Sequence, residues 1–343
     1  MQTASDTIAL FRAELELCKV GPGQVMAVLS SGTVRADYAQ TFMEAGRDLG
    51  ADVFHLNLPS KPSGNARYEV LTGKRAAIEA LKSADIVIDL VGMLFSHEQN
   101  EITAAGTRVL MVLEPIDVLR QMFPTVEQRA RVEAAGEMMG RARELRVTSD
   151  AGTDIRYGLS QYPVLTEYGF TDTPGRWDHW PSGFLLTQGN DRDVEGTVMI
   201  MPGDVLNAFR RYVQTPVKMT VREGMVTAIE GDGIDAALIR SYIESFNDKR
   251  AYAVSHIGWG MNERANWHHF ASTRQLDAEL GMHALAFYGN VLVSLGPNTE
   301  VGGDNDTACH LDMPMRNCNL HLDGEPTVLN GRIIPEVLRV PGR

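Results

Sequence analysis

The chain has 343 residues, 44% of them hydrophobic, and 44 acidic against 32 basic side chains give it a net charge of −12. That length is enough for two domains with sizeable cores, and an acidic balance without a Lys/Arg cluster argues against nucleic acid or anionic membrane as a partner. Three cysteines (Cys18, Cys309, Cys318) with no CxxC exclude a disulfide scaffold, Asp89 and Asn290 break the longest apolar runs, and the opening MQTASDTIALF has no secretory pattern; a cytoplasmic protein without a membrane span is expected.

Residues 4–18 place Ile8, Phe11, Leu15 and Cys18 at spacings of three and four, which predicts a helix. Alternating elements follow: strands over Gln24–Leu29, Asp52–Leu58, Asp85–Val91 and Arg108–Leu113, and helices over Arg35–Leu49, Lys74–Ser83, 116–122 and 125–142. Strand–helix alternation implies a parallel sheet with covering helices, so residues 1–150 read as a Rossmann-like α/β domain. Ser30-Ser31-Gly32-Thr33 follows the first strand, and neither GxGxxG nor GxxxxGK[ST] occurs; nicotinamide and ATP are therefore not expected ligands.

Beyond residue 150 the texture changes to short strands and Gly-rich turns. Thr153–Gly158, Gly183–Thr187, Thr197–Met201 and a hairpin over Val217–Ile229 turning at Glu223-Gly224 are expected, then a helix at 234–246, a strand at Tyr252–Gly260, a helix at 275–287 and a β-rich end. Residues 151–343 thus read as a mixed α+β domain, and this domain carries the expected metal site.

His310 and Asp312, in Ala308-Cys309-His310-Leu311-Asp312, carry the strongest chemical signal. On an extended segment the two side chains share a face with Cα atoms about 6.5–7 Å apart, so both can grip one cation. One more distant histidine makes a two-His, one-carboxylate face, a donor set suited to ferrous iron that must also bind substrate and dioxygen. His256, in Ser255-His256-Ile257-Gly258-Trp259-Gly260, is a candidate, since alternate glycines allow close packing against a bound group. His321-Leu322-Asp323 repeats the pattern, but Asp323-Gly324-Glu325-Pro326 reads as a turn and its aspartate as a turn former.

His97, in Ser96-His97-Glu98-Gln99-Asn100, lies just past a predicted strand, where open α/β sheets form their ligand crevice. Glu101 stands where HExxH requires histidine, so His97 reads as a proton-transfer residue rather than a ligand. In Gly175-Arg176-Trp177-Asp178-His179-Trp180, the rings Trp177, His179 and Trp180 form a candidate wall for a flat aromatic substrate. The pair His268-His269 and the single His55 and His283 read as structural.

With these residues in place, the chain resembles the 2,5-dihydroxypyridine 5,6-dioxygenases, non-haem iron enzymes of nicotinate and nicotine breakdown distantly related to aminopeptidase T-like metallopeptidases. The likeness spans nearly the whole chain and is most specific in SHIGWGMN (255–262), GRWDHWPSG (175–183) and GPNTEVGGDNDTACHLD (296–312). It implies that His256, His310 and Asp312 hold Fe(2+), that His97 is the catalytic histidine, and that His179 and Ser294 face the substrate. It further implies a dihydroxypyridine and O2 as reactants and opening of the ring to N-formylmaleamate; separately, the size of a cytoplasmic enzyme makes a homo-oligomer the expectation. The alternative it leaves open is a two-metal Zn/Co aminopeptidase.

Overall fold

Five strands lie side by side and parallel in the order β2 (Asp52–Leu58), β1 (Val25–Ser31), β3 (Ile86–Asp89), β4 (Arg108–Met111) and Trp177–His179. The computed structural model describes residues 4–59, 70–94, 96–272 and 281–342. Chain contacts divide it into two units: Met1–Pro124 with Tyr168–Ser182, and Thr125–Glu167 with Gly183–Arg343. The chain passes between them at 124–125, 167–168 and 182–183, where the sequence reading has one boundary near residue 150.

The first unit holds the parallel sheet. Alternate side chains of its strands serve two helical layers. Ala27, Leu29, Val87 and Val109 cluster with Ile78 and Leu81 of α3 (Arg75–Lys82) and Ile102 of α4 (His97–Ala104). Met26, one residue out of phase, meets α2 (Ala36–Asp48) at Gly46, where any Cβ would collide with its methyl group. Phe11 of α1 (Ala4–Leu17) packs 4.3 Å from Phe42 of α2. Strands buried on both faces explain the unbroken apolar runs that made them legible. The order 2-1-3-4-5 is that of doubly wound sheets, whose ligand crevice opens beyond the carboxyl ends of the strands.

The fifth strand of that sheet was not expected. Trp177–His179, read as part of a wall for an aromatic substrate and not as a strand, runs parallel to β4 with Met111 opposite His179. Three residues are too few to show a period of two. Trp180, a candidate for the substrate wall, is instead a core residue: it is 1% exposed and meets Phe11 and Phe123 edge-on.

The second unit is built on two antiparallel sheets. One has eight strands, in the order Met225–Glu230, Val217–Arg222, Val194–Ile200, Asp154–Gly158, Glu144–Thr148, Asn319–Leu322, Glu325–Leu329 and Arg332–Ile333. It contains the predicted hairpin, turning through Glu223 and Gly224, both at positive φ. The other sheet has five strands, in the order Leu311–Met315, Val291–Leu295, Val254–Gly260, Phe184–Gln188 and Leu165–Glu167. Of the helix expected over 275–287, Met282–Leu285 is helical, while 273–280 lie outside the described residues. Among the described residues, no helix is long and apolar enough to cross a membrane. All three cysteines are free and buried.

Candidate metal centre

His256, His310 and Asp312 converge in the five-stranded sheet. Asp312 lies on Leu311–Met315, His310 immediately precedes that strand, and His256 lies two strands away on Val254–Gly260. Two strand spacings come to roughly 9.5 Å. The gap closes because Ser294, on the strand between and directly opposite Asp312, has a small side chain. The register of Ile257–Trp259 then aims His256. Val254 pairs with Leu295 but Ile257 pairs with Val293, so Ser255 and His256 share the place opposite Ser294. Continuing the regular pairs of Trp259, Gly258 and Ile257 sets His256 opposite Ser294 and so on the face of Asp312, and the bulge takes up the extra residue at Ser255.

The resulting distances are short. Nε2 of His256 lies 3.0 Å and Nε2 of His310 lies 3.1 Å from Oδ1 of Asp312, and the Ser294 hydroxyl donates to the same oxygen at 2.7 Å. One ligand atom from each of the three residues lies within 4.8 Å of the others. Two donors about 2.1 Å from one ion and at right angles to each other stand about 3.0 Å apart, so the histidine–aspartate separations fit a shared metal. Behind the site, the hydroxyl of Tyr242 donates to the His310 carbonyl at 3.0 Å. Gly296 has φ +123°, and a Cβ there would strike the Cys309 carbonyl; only glycine lets the loop close against the segment that carries His310.

The electrostatics also call for a cation. Burial disfavours charge on His256, yet its hydrogen bonds with Asp312 and Glu300 outweigh this and raise it to about 10. Burial likewise pushes the Asp312 carboxyl up, but the neighbouring His310 and His256 hold it well below the usual carboxylate range. Deprotonated, the same imidazole nitrogens and carboxylate oxygen are the atoms a divalent ion takes as ligands.

The remaining candidates sort clearly. Ser294, expected to face substrate, is fully buried and holds the Asp312 carboxylate. The alternate glycines of 255–260 pack against protein: a Cβ on Gly258 would strike the Leu185 carbonyl, and one on Gly260 the Phe287 carbonyl. Asp323 sits at φ 50° in its turn and accepts from the amides of Arg143 and Glu144, as its turn reading requires. Glu300, which the sequence reading did not single out, places Oε1 3.3 Å from Nδ1 of His256. Its one signal was membership of the Gly-rich loop leading to His310.

In the first unit, His97 is the first residue of α4, exposed and just after Ser96, whose hydroxyl caps the helix by accepting from the Gln99 amide. The turn before it is held by buried Asp89, which accepts from the amides of Val91, Gly92 and Met93. His179 ends the neighbouring fifth strand, buried, with its ring 4.9 Å from that of Trp177. His97 thus lies beyond the carboxyl end of β3, and His179 is the carboxyl-terminal residue of the fifth strand.

Fold and site together define an α/β protein whose His, His, Asp donor set can hold one metal ion. Comparison with known proteins narrows this. The sequence profile of the 2,5-dihydroxypyridine 5,6-dioxygenase (NicX) family matches residues 6–335, and the chain belongs to that family. The 2,5-dihydroxypyridine 5,6-dioxygenase of Pseudomonas putida KT2440 is 42% identical over 340 residues, covering 96% of this chain and 97% of that one. A solved structure of 2,5-dihydroxypyridine dioxygenase from the same organism superposes with a TM-score of 0.95 at 40% identity, covering 99% of this chain and 100% of that one. Wild-type AmpT from Thermus thermophilus shares the fold alone, with a TM-score of 0.60 at 14% identity over 96% of this chain and 99% of its own.

Proposed function

We propose that this chain is a ferrous-iron-dependent dioxygenase that opens 2,5-dihydroxypyridine with O2 to N-formylmaleamate, as a cytoplasmic homo-oligomer serving nicotinate-type pyridine breakdown. The observation that supports it most is the His256, His310, Asp312 face, with His256 and Asp312 buried and His310 half-buried, in a chain 42% identical to a dioxygenase of that name. His256, His310 and Asp312 would hold the iron, and the iron would supply the binding and activation of O2 beside the ring. The donors contribute one negative charge, so with a divalent ion the set stays net positive and favours a deprotonated ring hydroxyl. Ser294 keeps Asp312 oriented by donating to Oδ1.

2,5-Dihydroxypyridine plus O2 balances as N-formylmaleamate plus one proton, so a proton removed to activate the ring must be taken up by a base and then passed on. One imidazole can perform both transfers, and His97 is the residue we assign to them. Trp177 and His179, whose rings meet at 64°, are assigned to orient the flat substrate.

Anaerobic reconstitution with ferrous ion followed by 2,5-dihydroxypyridine and labelled O2 tests this reading. One O2 consumed per ring opened, with both labelled atoms in the product, is expected. Ring opening without oxygen uptake contradicts it. So does peptide hydrolysis with two zinc or cobalt ions per chain and no oxygen uptake.

A further inference from the structure

Glu300 has no part in the reaction described above. It sits on the turn Thr299–Val301 with its side chain only 8% exposed, and Oε1 lies 3.3 Å from Nδ1 of His256. Nδ1 and Nε2 occupy opposite edges of the imidazole, and Nε2 is the edge that meets Asp312. Glu300 therefore stands outside the donor triangle, behind the ring.

The loop carrying it is firmly built. The Asn298 amide donates to the Asn305 carbonyl and the Asn305 amide to Oδ1 of Asn298, both at 2.9 Å, while the Asn305 side chain donates to the Gly296 carbonyl at 2.8 Å. The Ser255 hydroxyl donates to the Pro297 carbonyl. That last bond has a consequence for His256. Ser255 Oγ also lies 3.3 Å from Nδ1, and with its proton committed to Pro297 it offers Nδ1 only a lone pair. A carboxylate likewise only accepts. Two acceptors face Nδ1, so that nitrogen must carry the hydrogen.

We propose that Glu300 is a positioning residue for the metal centre: by accepting the Nδ1–H of His256 it fixes the tautomer whose Nε2 lone pair points toward Asp312 and His310. It also strengthens Nε2 as a donor, as a carboxylate behind a ligating imidazole does. This inference rests on the metal reading above.

The test compares full-length wild type with Glu300→Gln and Glu300→Leu. Two quantities are read: the rate at which a chelator strips ferrous ion, and the Nδ1–H resonance of His256 in the zinc-loaded, histidine-labelled protein. Glu300→Leu should release iron about 10- to 100-fold faster and lose the hydrogen-bonded Nδ1–H signal. Glu300→Gln, which keeps an acceptor of the same shape, should keep that signal and release iron faster than wild type but more slowly than the leucine variant. If the leucine variant does not fold, the glutamine variant carries the test with the same expectation relative to wild type. Release within twofold of wild type in every folded variant, or a zinc-loaded wild type whose His256 carries no hydrogen on Nδ1, overturns the role of Glu300. A wild type that binds neither iron nor zinc overturns the metal centre, and this inference with it.

Discussion

Removing the Asp312 carboxylate is the sharpest perturbation of the proposed centre. In Asp312→Ala, Nε2 of His256, Nε2 of His310 and the Ser294 hydroxyl, now at 3.0, 3.1 and 2.7 Å from Oδ1, lose their shared partner, and the donor set loses its one anion. Taking away one member of a buried charged pair costs about 3–5 kcal/mol. At about 1.4 kcal/mol per tenfold, metal affinity should fall by roughly two to three and a half powers of ten. Metal content after gel filtration, measured alongside oxygen uptake, reads both losses together. Asp323→Ala is the matched control: it removes the aspartate of the other His-x-Asp and the cap on the Arg143 and Glu144 amides, so it should lower stability by about 1–3 kcal/mol and leave metal content unchanged. An Asp312→Ala protein with one ion per chain and oxygen uptake within tenfold of wild type would refute the argument.

Two further variants probe other parts of the molecule. His97→Gln should retain iron fully while turnover drops by about 10²–10⁴; loss of the metal would show that His97 is not a proton-transfer residue. His283, buried and stacked 4.1 Å from His269, is lowered to about 3, first by burial and then by that neighbour. The unfolded chain takes up its proton near pH ~6.5, so between pH 6.5 and 3 it binds more protons than the folded state. The stability contribution of His283 is therefore complete above about pH 6.5 and is lost as pH falls through that window. His283→Asn, which still offers an acceptor to the Asn266 amide, should flatten the fall in melting temperature between pH 6.5 and 4; parallel profiles would rule out His283 as the source.

Much of this molecule could be read along the chain. The doubly wound sheet was visible because Met26–Leu29 and Ile86–Ile88 are buried on both faces and so are continuously apolar, with helices of regular spacing between them. Spacing made His310 and Asp312 stand out, since a period of two is a local property of extended backbone. Trp177–His179 escaped as a strand because three residues carry no period, and its pairing with Val109–Met111 is a relation between distant segments.

Which residue types are present, and that a histidine and an aspartate two apart share one face, followed from the sequence alone. Whether His256 or Ser255 turns toward them was decided in the fold, by the register of Ile257–Trp259 against Val291–Leu295. The same holds for Ser294 opposite Asp312 and for Glu300 behind His256. Backbone preferences act over a few neighbouring residues, whereas strand register is set by pairing across dozens, and a slip of one residue exchanges the two faces of a strand.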